Sequence, residues 1–176
     1  MNIKILHLLE GAQKATGLTV IIDVFRAFSV EAYLMHCGVE KIFPVADIKL
    51  AYAYKEQNPS VLLVGERGGK ICEDFDYGNS PSQLEGADLK GKTVVHTTSA
   101  GTQGIANASK AEEVITGSLV NAKAIAEYIC DLLAKDADIA ELNTQLALLT
   151  ASSTSDTAAL NEQLTQLNNE KAALQS

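Results

Sequence analysis

The sequence predicts an α/β fold: a three-layer α/β/α arrangement around a mostly parallel sheet, followed by a helical, coiled-coil-like tail. Three observations predict it. Short continuous apolar runs alternate with helix-patterned segments over the first three quarters of the chain, as in parallel sheets covered on both faces. All twelve glycines lie at or before Gly117, and all three prolines lie at or before Pro81. Beyond Lys135 the composition turns to Ala, Leu, Gln, Asn, Thr and Ser, with leucines spaced by three and four. The expected domains are therefore 1–135, an α/β domain, and 136–176, a helical tail.

In chain order, Ile3–Leu8 reads as a first strand, since MNIKILHLLEGAQK has a short apolar run but no small-residue cleavage site. Strands are expected at Leu18–Val24, Lys41–Val45, Val61–Val64, Thr93–His96 and Glu113–Thr116. Between them, helices are expected at Ala27–Cys37, Ile48–Glu56, Gly101–Ala108 and Asn121–Ala134. In the tail, Ile139, Leu142, Leu146 and Leu149 begin an a/d-like rhythm that Leu160, Leu164, Leu167, Lys171 and Leu174 continue. The polar segment TASSTSDT (Thr150–Thr157) interrupts it, because Ser, Thr and Asp favour caps and turns. Two short amphipathic helices around a polar hinge are expected, with self-association (a homo-oligomer) open.

The bulk numbers exclude several classes. With 176 residues and 47% hydrophobic content, the chain can bury a core. No apolar run approaches the roughly 18 residues of a membrane span. A net charge of −8 disfavours nucleic acid and anionic membrane as partners. Three widely spaced cysteines, Cys37, Cys72 and Cys130, argue against disulfides and zinc, so a cytoplasmic setting is expected.

Ligands of open α/β sheets sit beyond the carboxyl ends of the strands, and the polar clusters of this chain fall there. After TVII comes Asp23, then Arg26. After VLLV comes GERGGK, with Glu66 and Arg67. After VVH comes TTSAGT, with Thr97, Thr98, Ser99, Gly101 and Thr102. After EEVIT come Gly117 and Ser118. Arg26 and Arg67 are the only two arginines in the chain. Each cluster has a structural reading too: Asp23 as a helix cap, Arg26 as a solvated helix residue, Glu66–Arg67 as a surface pair, Thr97–Thr102 as an N-cap. Together they favour one site for an anion. A guanidinium fork fits phosphate, sulfonate or carboxylate, and hydroxyls with free backbone N–H groups at a helix start form an anion cradle. Asp23 and Glu66 would repel an anion unless Mg²⁺ bridged them to it. On the loop Glu73–Gly86, the residues Asp76, Asn79 and Ser80 are either site residues or turn formers. His96 stands just before the cradle, as a packed strand-end histidine or as an acid or base. No Walker loop, GxSxG elbow, cysteine-phosphatase loop or GxGxxG motif is present.

The stretches GLTVIIDVFRAFS, PVADIKLAYAYKE, LLVGERGGK, FDYGNSPSQLEGADLKGKTVVHTTSAGTQG and ITGSLVNAKAIAEYI, in this order, resemble the 2-phosphosulfolactate phosphatase family over about residues 1 to 134. The resemblance implies an α/β/α hydrolase, a phosphoric monoester phosphatase that uses Mg²⁺ on a small sulfonated acid, in coenzyme M biosynthesis. On that basis Asp23, Arg26, Glu66 and Arg67 are the expected catalytic set. Asp23, Glu66 and Asp76 are the expected metal ligands, and Asn79, Ser80, Thr97, Thr98, Ser99, Gly101 and Thr102 the expected substrate contacts. The family's commoner cradle has Asn where Ala100 stands, and its chains continue with α/β sequence where the tail begins here. The competing readings are a catalytically weak module that binds an anion or assembles through its tail, and a nucleotide-binding α/β protein.

Overall fold

The computed structural model describes residues 2–150 and 157–175. Its helices are α1 (Leu8–Ala12), α2 (Ala27–His36), α3 (Ile48–Gln57), α4 (Gly101–Asn107), α5 (Ala122–Thr150) and α6 (Thr157–Leu174). Its strands are β1 (Gly17–Ile22), β2 (Lys41–Pro44), β3 (Leu62–Arg67), β4 (Lys70–Ile71), β5 (Thr93–Thr97) and β6 (Ala111–Gly117). The chain divides into two compact units, Met1–Ala122 and Lys123–Ser176.

The first unit is α/β. Its larger sheet has the order β2-β5-β3-β4, with β2, β5 and β3 parallel and β4 folding back on β3. A second, two-stranded parallel sheet pairs β1 with β6, and α4 packs against both β1 and β2. Side chains alternate across a strand, so each central strand feeds two cores. Val64 and Val94 join Val30 and Leu34 of α2, with Val39, Leu84 and Leu89. Their neighbours Leu63 and Val95 join Ala51 of α3, with Val45, Val61, Cys72 and Phe75. Burying a side chain such as Leu34 contributes about 1.5–3 kcal/mol, which is why these runs are continuously apolar.

Two features fix the end of β3. Gly65 pairs with Thr97 of β5, and a Cβ on Gly65 would stand 1.9 Å from the Thr97 carbonyl oxygen. Gly68 and Gly69 then turn the chain with φ of 59° and 79°. That is the backbone of a tight two-residue hairpin, and it returns Lys70 opposite Arg67. On the same strand, Gly65 N donates to Tyr77 O and Tyr77 N donates to Leu63 O (3.0 and 3.1 Å). The segment around Tyr77 thus runs parallel to β3 and carries Asn79 towards the strand's carboxyl end.

One expected strand is absent. Residues 3–7 are irregular and lead into α1, with Ile3, Ile5 and Leu6 exposed. An apolar run becomes a strand only where a neighbour supplies partners for its backbone groups, and among the described residues none pairs with it. Nor does the helix expected at Asn121–Ala134 end there: α5 runs on without a break to Thr150.

The second unit is helical. Ile139, Leu142, Leu146, Leu160, Leu164, Leu167 and Lys171 are half-buried, as is Glu170, while their other neighbours face solvent. Ion pairs Lys135–Glu170 and Asp136–Lys171 join α5 to α6, which makes the pair an antiparallel hairpin. Of the expected hinge Thr150–Thr157, residues 151–156 lie outside the described ones. Among the described residues no helix is long and apolar enough to cross a membrane.

Candidate functional site

The site grows from the carboxyl ends of β1, β3 and β5. At the end of β3, Glu66 is buried, yet every oxygen of its carboxylate is held. Oε1 accepts from Ser99 N at 2.7 Å, and Oε2 accepts from Gly69 N at 2.6 Å and from Ser99 Oγ at 3.1 Å. Burial pushes the Glu66 pKa up, but the bonds from Ser99 and Gly69 and the Arg67 charge outweigh it, and the group stays below its ordinary value of 4.5. Gly68 N in turn donates to Ser99 Oγ at 2.9 Å. The glycine turn and the loop after β5 are thereby locked to one carboxylate.

Arg67 points to the other face of β3. Its Nη1 donates to Glu66 O (2.8 Å), and its Nη2 donates to Ala46 O (2.9 Å) and Thr97 Oγ1 (2.7 Å). Thr97 passes its own hydroxyl proton to Val45 O at 2.6 Å. One next step along β5, the chain turns into α4. Thr102 Oγ1 accepts from Thr98 N (2.9 Å), and Thr98 Oγ1 accepts from Thr102 N (3.2 Å). This reciprocal pair closes the helix start that Ala100, the N-cap residue, leaves without a side-chain bond.

The end of β1 arrives beside the same helix. Asp23 N donates to Gly117 O at 3.0 Å, extending the β1–β6 pairing. Asp23 Oδ1 accepts from Ala27 N at 3.4 Å, at the start of α2. A Cβ added to Gly101 would stand 3.0 Å from Asp23 Oδ2 and 2.7 Å from Ala27 Cβ. Gly101 is therefore what lets α4 begin against Asp23.

Of the residues expected from sequence, Glu66, Arg67, Thr97 and Ser99 are joined directly, Thr98 and Thr102 continue the group, and Asp23 meets it through Gly101. Arg26 is exposed, and its guanidinium has no hydrogen-bond partner among the described residues. Ser80 shares a hydrogen bond with Ser82 at 3.1 Å. Asn79 is buried, with Oδ1 3.4 Å from His96 Nε2. Asp76 lies at the other end of β3, where Oδ2 accepts from Leu63 N (2.8 Å) and pairs with Lys55 (3.1 Å). The trio Asp23, Glu66 and Asp76 is not gathered: no three metal-ligating side chains cluster among the described residues. The reason is chemical, since Asp76 is spent on the start of β3 and Glu66 on bracing two turns. Asp23 Oδ2 makes no hydrogen bond among the described residues.

Sequence reasoning passed over the Gly68 and Gly69 amides and Glu31. The amides carry no side-chain signal. Glu31 does: it lies three residues after Phe28 and three before Leu34, on the buried stripe of α2.

A family model described as 2-phosphosulpholactate phosphatase matches residues 4–166. The chain belongs to the 2-phosphosulfolactate phosphatase family. Among curated relatives, a protein of Carboxydothermus hydrogenoformans named "Probable 2-phosphosulfolactate phosphatase" is 41% identical over 133 residues, which is 75% of this chain and 55% of the relative. Proteins with the same name in Caldicellulosiruptor saccharolyticus and Deinococcus radiodurans are 46% and 38% identical over 110 and 112 residues, about half of each relative. The chain thus spans about half the length of the family members it matches.

Proposed function

We propose that this chain carries the phosphoryl-binding part of a Mg²⁺-dependent phosphatase that hydrolyses the phosphate ester of a small sulfonated or carboxylated acid, 2-phosphosulfolactate or a close analogue. One observation carries the reading: Asp23, the capped start of α4 and the Glu66-braced turn meet where strand ends of an α/β unit present their ligands. The name of the curated relatives supports the substrate class.

Each residue then has a task. The start of α4, held open by Gly101 and shaped by Thr98 and Thr102, offers backbone N–H groups to phosphoryl oxygens. Arg26, whose guanidinium is free, supplies charge to the anionic head of the acid. Arg67 and Thr97 hold the strand ends in register, and Glu66 keeps Ser99 and Gly69 in place. Mg²⁺ binds with one or two carboxylates, waters and substrate phosphate, and Asp23, with a free oxygen, is the residue to hold it. When bound, the ion withdraws charge from the phosphoryl group and favours attack by water.

The test is phosphate release from 2-phosphosulfolactate and a panel of phosphoesters, with Mg²⁺ and with a chelator. Turnover that the chelator abolishes is expected. Turnover indifferent to chelator removes the metal, and absence of turnover on every ester removes the phosphatase. A second reading, a weak anion-binding module, draws on the internal engagement of Arg67 and Glu66. Calorimetric binding of phosphate without turnover selects it.

A further inference from the structure

Behind the cradle lies a buried polar chain that the site above does not use. His96 is fully buried on β5, its Nδ1 2.8 Å from Glu31 Oε1 on α2 and its Nε2 3.4 Å from Asn79 Oδ1. His96 is one residue before Thr97, so its side chain faces α2 while Thr97 faces α3. It pairs across the sheet with Val64, and Val64 bridges to Tyr77, two residues before Asn79. Asn79 therefore stands level with Glu66, at the end of β3 where the site is.

Burying an ionisable pair is costly, and neither group is needed to fill a core that valine and leucine fill elsewhere on the same face. What the pair does is orient an amide. With Asn79 Oδ1 facing it, His96 Nε2 carries a hydrogen. On its other side the ring is held by Glu31 through the 2.8 Å Nδ1–Oε1 contact. The Asn79 NH₂ makes no hydrogen bond among the described residues, and no buried side-chain nitrogen there lacks a partner. The NH₂ therefore keeps some access to solvent.

We propose that Glu31 and His96 are positioning residues that turn the Asn79 oxygen inward and its NH₂ outward, making Asn79 a donor-only contact for an oxyanion of the substrate. An amide free to flip would present its oxygen half the time and repel that group. Only the ligand's identity rests on the phosphatase reading. The orientation stands without it.

Nitrogen NMR of the histidine-labelled full chain tests the orientation in the phosphate-free protein. A protonated Nε2 on His96 is expected, and a bare Nε2 overturns the proposal whatever the chain hydrolyses. Titration with inorganic phosphate should then move the Asn79 side-chain amide signal. Asn79→Ala should weaken phosphate binding roughly tenfold, as for a lost hydrogen bond to a charged group, and His96→Phe about twofold, since a freed amide is competent half the time. The double variant should bind no more weakly than Asn79→Ala alone. A folded His96→Phe that binds phosphate like the parent chain overturns the proposal. If that variant fails to fold, the state of Nε2 in the parent chain decides. Absence of turnover in the parent chain would remove the phosphatase and leave the imidazole measurement intact.

Discussion

The α/β unit and the helical unit are held by different kinds of information. In Met1–Ala122, polar side chains sit at unique places: Glu66 on two amides and a hydroxyl, Arg67 on two carbonyls and Thr97, Thr98 on Thr102. Each bond has one geometry, and removing one partner strands the other in the interior. In Lys123–Ser176, specificity comes from a repeated half-buried seam and from ion pairs at the surface. The lesson is about tolerance. The first unit should fail at single residues, whereas the second should lose stability by degrees.

The largest break is expected at Gly65. An alanine Cβ would stand 1.9 Å from the Thr97 carbonyl oxygen, which is main chain and cannot swing away. Gly65→Ala should cost more than about 4 kcal/mol, the range of severe core strain. Denaturant titration checks this. A variant as stable as the parent would mean that β3 and β5 do not approach as described.

Glu66 comes next. Glu66→Gln puts an NH₂ where the carboxylate accepts bonds from both Ser99 N and Gly69 N. One amide must lose its acceptor, at a cost of about 1.5–3 kcal/mol. The same residue gives a pH dependence. Its folded pKa is depressed, so its contribution is complete above the ordinary value. It fades as pH falls through the folded value, because the unfolded chain takes up the proton first. Melting temperature against pH below 4.5 should fall more steeply for the parent chain than for Glu66→Gln.

These residues also mark what was legible in the sequence. The strands β1, β2, β3, β5 and β6 and the helices α2, α3 and α4 follow from apolar runs and period, and for β3 and β5 burial on two faces demands them. Ile3–Leu8 has the same apolar character and forms no strand, because pairing depends on a neighbour that the run itself does not encode. The clusters at the strand ends could be seen, and Asp23 does meet Gly101 there. Which charge faces a ligand could not be seen: Arg67 and Glu66 look alike as site residues until their partners Ala46 O and Gly69 N are known. Backbone acceptors and donors carry no letter in the sequence.

A smaller effect is expected where two side chains share one task. Thr102→Ala removes the oxygen that accepts from Thr98 N and leaves the Thr98 cap on Thr102 N in place, and losing one such hydrogen bond costs about 1 kcal/mol. Thr102→Ser keeps the oxygen and should recover most of it. If serine does no better than alanine, the methyl packing of this fully buried residue, not its bond to Thr98 N, sets its value. Thermal melts of both variants separate the two.

The smallest effect belongs to the helical unit. Lys171 occupies a leucine position of the seam and pairs with Asp136 on α5. Exposed pairs gain little after ordering two long side chains, and salt screens what remains. Lys171→Met should therefore leave the melting temperature of the helical unit unchanged or slightly higher, since it trades the pair for an apolar contact at a half-buried position. Low salt strengthens the pair and should shift the comparison toward lysine. What lysine contributes is register: one charged seam residue matched to one acid on the facing helix penalises every shifted alignment of a seam otherwise built from interchangeable leucines. Disulfide trapping between cysteine pairs placed at other facing positions of α5 and α6, in the parent register and offset by one helical turn, reads this directly when Asp136 and Lys171 are kept and again with Lys171→Leu. The parent register alone should form in an otherwise unchanged chain. A parent register that still forms alone with Lys171→Leu would mean that the leucines, and not the lysine, align the hairpin.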